Sequence, residues 1–170
     1  MQEVVDQALS IHANSEQLGL GVDVVDISHF RLICKRTPSF VNKMFSESEI
    51  NYANKKTNPE VHLAARFAAK EAVLKSLGVG FGRGVGYRDV EVKIERNGEP
   101  KVLLHNKAKT IADKAGVTDI PISITHTKTE AVCVAIAITK ASIESKEKAN
   151  VAVDEVTRQF KELRRGLDEI

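Results

Sequence analysis

Two acidic side chains stand where the surrounding pattern calls for burial. Asp23 lies inside the apolar run Leu18-Gly-Leu-Gly-Val-Asp-Val-Val-Asp-Ile27, and Glu71 lies inside the alanine-rich run Arg66-Phe-Ala-Ala-Lys-Glu-Ala-Val-Leu-Lys75. A buried anion without a partner costs several kcal/mol. If the two converge, a hard divalent cation between them relieves both. One or two carboxylates completed by phosphate oxygens and water is also how Mg²⁺ is usually held, so the pair points to Mg²⁺-dependent phosphate chemistry. Lys75 leaves a second reading open for Glu71, because residues four apart on a helix form an ion pair. Asp23 has no basic neighbour in its own run.

Other groups can meet a phosphate. Arg66 and Lys70 are four residues apart, a like-charge repulsion that a bound anion relieves and that solvent relieves equally well. Gly78 to Gly86 carries a glycine at every second position and Arg83 among them. This segment follows a helix instead of preceding one, so the helix dipole there opposes an anion and a P-loop role fails. A flexible lid fits it better. Ser123-Ile-Thr-His126-Thr127 supplies hydroxyls and an imidazole at a strand end, whereas His12, His29, His62 and His105 show no metal-ligand spacing with one another.

The elements that must position these groups follow from periodicity. Residues 18–27 read as a strand with Leu18, Leu20, Val22 and Val24 on one face, and Gly21, Asp23, Val25 and Ile27 on the other. Ser28 is placed to cap a short helix ending before Thr37-Pro38, and Ser46-Glu-Ser-Glu49 forms a capping box for a second. Asn58, Pro59 and Gly78 delimit the helix that carries Glu71, whose alanines allow close approach to a sheet. Asn97-Gly98 signals a hairpin after Val90, Val92 and Ile94, with a return strand from Val102 to Leu104. A helix from Lys107 to Ala115 ends at Gly116, Ile120, Ile122 and Ile124 alternate, and Ala131 to Ile138 reads as a strand buried on both faces. Hairpins with interleaved helices give an α+β fold, a mainly antiparallel sheet packed with helices. The last residues turn charged and helix-favouring, with Val156, Phe160, Leu163, Leu167 and Ile170 forming a narrow apolar stripe that must fold back or associate.

At 170 residues the chain makes one ordinary domain, and a net charge of +2 is too small to argue for nucleic acid. The longest apolar run is far too short to span a bilayer, and residues 1–17 lack a signal-peptide core. Cys34 and Cys133 sit in apolar surroundings without paired spacing, as small core residues do in a reducing cytosol. A soluble cytoplasmic protein is expected.

Taken together, Gly21-Val-Asp23-Val-Val-Asp-Ile27, Phe45-Ser-Glu-Ser-Glu49, Arg66-Phe-Ala-Ala-Lys-Glu71-Ala with Lys75 and Gly78-Val-Gly80, and Ser123-Ile-Thr-His126-Thr127 resemble the holo-[acyl-carrier-protein] synthases of fatty-acid synthesis. These are the small 4′-phosphopantetheinyl transferases. The likeness covers residues 18–139, flanked by extensions at 1–17 and 140–170 that the compact enzymes lack. The phosphopantetheinyl transferase domain of fungal fatty acid synthases is similar too, above all across Ala108 to His126. The resemblance implies a phosphopantetheinyl transferase-like fold with a C-terminal helix added. It also implies transfer of the phosphopantetheine arm of coenzyme A to a serine of apo-acyl carrier protein, dependent on Mg²⁺. By the family pattern Asp23 and Glu71 ligate the metal, Lys75 reaches the phosphates, and His126 contacts the 3′-phosphate region, with Arg66, Lys70 and Arg83 as weaker phosphate candidates. Arg31, Lys35 and Arg36 form a docking face for the acidic carrier protein, although His29 and Ser39 stand where the family often has basic residues. A homotrimer with coenzyme A between subunits is expected. The alternative is a non-catalytic scaffold of the same fold that binds carrier protein or nucleotide.

Overall fold

A computed structural model describes residues 19–82 and 84–168; Arg83 and the extension at 1–17 lie outside the described residues. The chain order is β1 (Gly19–Asp26), α1 (Ile27–Arg36), α2 (Ser39–Met44), α3 (Glu47–Asn54), α4 (Pro59–Ser76), a single 3₁₀ turn (Tyr87–Asp89), β2 (Val90–Ile94), β3 (Pro100–Leu104), α5 (Asn106–Lys114), β4 (Val117–Asp119), β5 (Ile122–His126), β6 (Glu130–Thr139) and α6 (Lys140–Asp168). In one sheet β6 lies between β1 and β4 and also pairs with β5, while β2 and β3 form a separate hairpin. The printed pairings are all antiparallel, so the α+β expectation holds. Two compact units divide the chain, one over Leu18–Ile138 and one that includes Thr139–Ile170.

Within the first unit, α4 lies on β1 at unusually short range, and glycine is the reason. A Cβ built on Gly21 would sit 1.8 Å from the carbonyl oxygen of Ala72, and one on Gly19 would sit 2.0 Å from that of Ser76. Those oxygens belong to helix backbone and cannot swing aside. The facing residues Ala68, Ala69 and Ala72 are fully buried, as the alanine-rich pattern suggested. Gly21→Ala should therefore push α4 off β1 and cost about 1–3 kcal/mol or more through overpacking. A urea midpoint equal to that of the wild type would contradict this close packing.

Several local readings change. Asp26, not Ser28, caps α1, accepting a hydrogen bond from the His29 amide at 2.6 Å. Ser46 and Glu49 make the expected reciprocal capping box. The β2–β3 loop runs through five residues, since Ile94 pairs with Pro100 and Glu95 N–H donates to Glu99 O across it. The β6 strand is buried on one face only: Ala131, Cys133, Ala135 and Ala137 are buried, whereas Val132, Val134 and Ile136 between them are half-buried. Their partners on β1 are Val24, Val22 and Leu20, which are 55%, 45% and 62% exposed. The more apolar face of this sheet is thus the bare one. In the second unit, α6 opens with Thr139 and Ser142 exchanging amide-to-hydroxyl bonds of 3.0 and 3.1 Å.

Candidate active site

The close contact of β1 with α4 turns Asp23 toward Glu71. Asp23 pairs with Cys133 on β6 and looks onto the helix, with its carboxylate 16% exposed. Lys75, one turn beyond Glu71, reaches across to Asp23 Oδ1 at 2.8 Å and to the Val22 carbonyl oxygen at 3.0 Å. The helical Glu71–Lys75 ion pair that spacing alone allows is therefore not the one formed. Burial raises the Glu71 pKa, the neighbouring charge of Asp23 raises it further, and Lys75 opposes both. The Cys133 thiol behind Asp23 is pushed up to about 12, by burial first and by the Asp23 charge second.

Asp23 and Glu71 face one cavity of about 310 Å³, with Asp26 and His29 at its polar edge and Phe30, Phe40 and Phe67 in its wall. Tyr87 extends that wall, with its ring stacked 5.6 Å from Phe67 and 3.4 Å from Phe81 of the glycine-rich segment. Burial and the charge of Glu71 both raise the Tyr87 pKa. Two carboxylates that repel each other across a half-buried cavity suit a hard divalent cation. Among the described residues no three His, Cys, Asp or Glu side chains gather as a metal cluster. Such a site fits Mg²⁺, which completes its shell with phosphates and water, and not a metal that needs an all-protein cage.

The sign of the Glu71 shift has a consequence for stability. Its folded-state pKa lies above the ordinary value, so the folded protein binds this proton more tightly than the unfolded chain does. The corresponding stability is full below the ordinary carboxylate pKa and is lost as pH rises through the raised one. Metal-free Glu71→Gln should consequently melt higher than wild type at neutral pH, with the difference gone near about pH 4. A variant that melts lower than wild type at neutral pH would show that Glu71 is not held against repulsion.

A second cavity, of about 320 Å³, lies at the end of β5 and collects Arg31, His62, His126 and Lys128 beside Asn58. The His62 and His126 rings meet edge to face at 6.2 Å. Burial lowers the His62 pKa, and the charges of Arg66, His126 and Lys56 lower it further. Thr127 pins the turn that presents His126, its hydroxyl oxygen accepting from the Glu130 and Thr129 amides at 3.0 and 3.2 Å. The basic cavity and the carboxylate cavity share no lining residue. Arg31, read from sequence as part of a docking face, lines the basic cavity; Lys35 and Arg36 stand exposed in the last turn of α1.

Two phosphate candidates are buried and line neither cavity. Lys70 is fully buried, pairs with Glu49 at 2.9 Å, and gives its other donors to the carbonyl oxygens of Tyr87 and Val90. None is left for a phosphate. Arg66 is 3% exposed, with its guanidinium 4.2 Å over the Tyr52 ring and Nη1 donating to the His62 carbonyl oxygen. The charge of Glu49 favours the charged form of both Arg66 and Lys70. Sequence reasoning passed over His62, Lys128 and Tyr87. The one available signal was that His62 lies one helical turn before Arg66 on the helix that carries Glu71.

The chain belongs to the 4′-phosphopantetheinyl transferase superfamily, whose family model matches residues 19–137. Within it, the chain is 43% identical over 119 residues to the holo-[acyl-carrier-protein] synthase of Syntrophus aciditrophicus, a match covering 69% of this chain and 93% of that one. The synthase of a Thermoanaerobacter species is 38% identical over 139 residues, covering 82% and 98%. Among solved structures, the Helicobacter pylori synthase in complex with coenzyme A superposes with a TM-score of 0.62 at 28% identity, over 70% of this chain and 99% of that one. The Plasmodium yoelii holo-ACP-synthase gives 0.65 at 27% identity, over 74% and 97%.

Proposed function

We infer that this chain transfers the 4′-phosphopantetheine arm of coenzyme A to a serine hydroxyl of apo-acyl carrier protein and releases adenosine 3′,5′-bisphosphate. The observation that carries this reading is the half-buried Asp23–Glu71–Lys75 group on the glycine-permitted contact of β1 with α4. Relatives at 38–43% identity are holo-[acyl-carrier-protein] synthases, and the Helicobacter pylori protein binds coenzyme A.

Asp23 and Glu71 would hold Mg²⁺, which when bound supplies positive charge against the pyrophosphate as the serine replaces the nucleotide. Lys75, half exposed on a flexible stem beside Asp23, would supply a charge to a phosphate oxygen there. His126, Arg31 and Lys128, with His62 behind them, give the basic cavity the chemistry to take the 3′-phosphate. Lys35 and Arg36, with the exposed Leu32 between α1 turns, offer an acidic carrier protein charge and one apolar contact. Two cavities without a common wall are reconciled by a homotrimer in which coenzyme A bridges neighbouring subunits. The bare Leu20, Val22 and Val24 face supports that assembly, since an apolar sheet face of this kind is seldom left to water. Free cysteines and no described helix apolar enough to cross a membrane suit action in the cytosol.

Incubated with coenzyme A, Mg²⁺ and apo-acyl carrier protein, the purified chain should add the arm to the carrier serine, seen by intact mass. His126→Ala should raise KM for coenzyme A about 10- to 100-fold through loss of a charge-assisted contact. KM for dephospho-coenzyme A should not move. An unmodified carrier protein would contradict the activity, and equal KM changes for both donors would contradict the role of His126.

A further inference from the structure

The basic cavity at the end of β5 holds two imidazoles, His62 and His126, together with Arg31 and Lys128, and no carboxylate stands among its described lining residues. Asn58 and Val61 place it at the N-terminal end of α4, where the helix dipole adds positive potential. More positive charge lies behind His62. Arg66, one turn along α4, holds its guanidinium 4.2 Å over the Tyr52 ring, and the Lys56 ammonium lies 4.8 Å from that ring. The half-buried His62 ring meets Tyr52 edge to face at 6.1 Å and His126 at 6.2 Å, so it stands between the two. The groups around it are thus Arg31 from α1, Tyr52 and Lys56 from α3 and the turn after it, Arg66 from α4, and His126 and Lys128 from β5 and its turn. The nearest acids are engaged elsewhere: Glu60 acts on Cys34 of α1, and Glu49 pairs with Lys70. Burial and the surrounding charges together favour the neutral His62 imidazole in the empty cavity. A phosphate dianion there offsets those charges and favours the imidazolium.

We propose that His62 makes recognition of the 3′-phosphate proton-linked: the cavity takes up the phosphomonoester dianion together with one proton, which the bound anion holds on His62. This rests on the reading above that the cavity receives the 3′-phosphate of coenzyme A. The proton comes from solvent, no bond of the phosphate is made or broken, and departure of the nucleotide returns the proton. His62 is then a specificity-determining residue whose effect depends on pH. Coenzyme A gains affinity as pH falls toward neutrality, whereas dephospho-coenzyme A, which lacks the 3′-phosphate, gains nothing from this group. Glu71 also titrates, but the carboxylate site meets the pyrophosphate that both donors share. Its contribution cancels in the ratio of their affinities.

Histidine ring-proton resonances of the full chain, followed against pH by nuclear magnetic resonance, read the charge of His62 directly, with His62→Phe identifying its signal. Saturating adenosine 3′,5′-bisphosphate should raise the His62 midpoint, and saturating adenosine 5′-monophosphate should leave it unmoved. In parallel, dissociation constants for coenzyme A and dephospho-coenzyme A are compared over about pH 7 to 9, where a phosphomonoester with a second pKa near about 6 is already a dianion. The wild-type preference for coenzyme A should fall with rising pH by up to about tenfold per unit, the limit for one proton. His62→Phe keeps an aromatic ring against Tyr52 and should lose that slope. A midpoint that the bisphosphate does not move, with coenzyme A still preferred, overturns the proton linkage and leaves the cavity assignment standing. A slope undiminished in His62→Phe gives the proton to another group and also overturns it. Equal affinity for the two donors at every pH removes the 3′-phosphate from this cavity, and the role of His62 with it.

Discussion

Asp23→Asn should abolish most of the transfer while leaving the fold intact. The substitution keeps size and removes one negative charge from a pair that repel each other, so the metal-free protein loses no stabilising interaction except the 2.8 Å bond from Lys75. The loss falls on the charged transition state. A metal ion contributes several kcal/mol of charge stabilisation at a phosphoryl centre, and each 1.4 kcal/mol is about tenfold in rate. A fall in kcat/KM of roughly 10²- to 10³-fold is expected at saturating Mg²⁺. Glu71→Gln should match it in activity, although the two differ in stability as described above. The double variant should be scarcely worse than either, because the second carboxylate has no ion left to share. Labelled coenzyme A modifying carrier protein at the wild-type rate in Asp23→Asn would remove the metal assignment. A scaffold that merely retained the fold would show no transfer in any of the four proteins.

The largest effect on stability is expected at a residue that first read as a phosphate ligand. Lys70 and Glu49 are both wholly buried, and their 2.9 Å pair ties α3 to α4. Glu49 also accepts from the Val92 and Ser46 amides, while Lys70 donates to the Tyr87 and Val90 carbonyls, so the pair locks the β2 hairpin to both helices. Burial lowers the Lys70 pKa, and Glu49 opposes that shift by favouring the charged form. Lys70→Met leaves the Glu49 carboxylate buried opposite a thioether. Removing one partner of a buried pair costs about 3–5 kcal/mol. Glu49→Gln/Lys70→Met should recover only part of that loss, because the buried carboxylate is gone while the buried Arg66 loses the charge of Glu49. Urea denaturation of the two single variants and the double variant measures the coupling. A Lys70→Met midpoint indistinguishable from wild type would mean that the ammonium is solvated and that the clamp is not formed.

Why Lys70 misled is instructive. Helix spacing gives its distance from Arg66 but says nothing about a carboxylate on another helix. Glu49 was visible only in its local role, as the reciprocal partner of Ser46, and one carboxylate serves both that cap and the buried ammonium. The same limit explains Lys75, whose short-range partner Glu71 loses to Asp23 across the β1–α4 contact. By contrast, the convergence of Asp23 and Glu71 was legible. Strand alternation put Asp23 on the face shared with Gly21, helix periodicity put Glu71 inward, and the alanines announced a close approach. Hydrophobic patterning cannot distinguish a face buried in one chain from a face awaiting another chain. Consequently β6 read as covered on both sides, and only the exposure of Leu20, Val22 and Val24 separates the two cases. The basic cavity was legible only in part: the strand-end motif singled out His126, but spacing along the chain does not bring His62 from a distant helix to its side.

Whether two remote carboxylates share one cation that grips a diphosphate is decided most directly by calorimetric titration of coenzyme A, with and without Mg²⁺, into wild type, Asp23→Asn and Glu71→Gln. Mg²⁺ should tighten coenzyme A binding to the wild type and should have no such effect on either variant. The same Mg²⁺-dependent gain in all three proteins would place the cation elsewhere and end the case for this site.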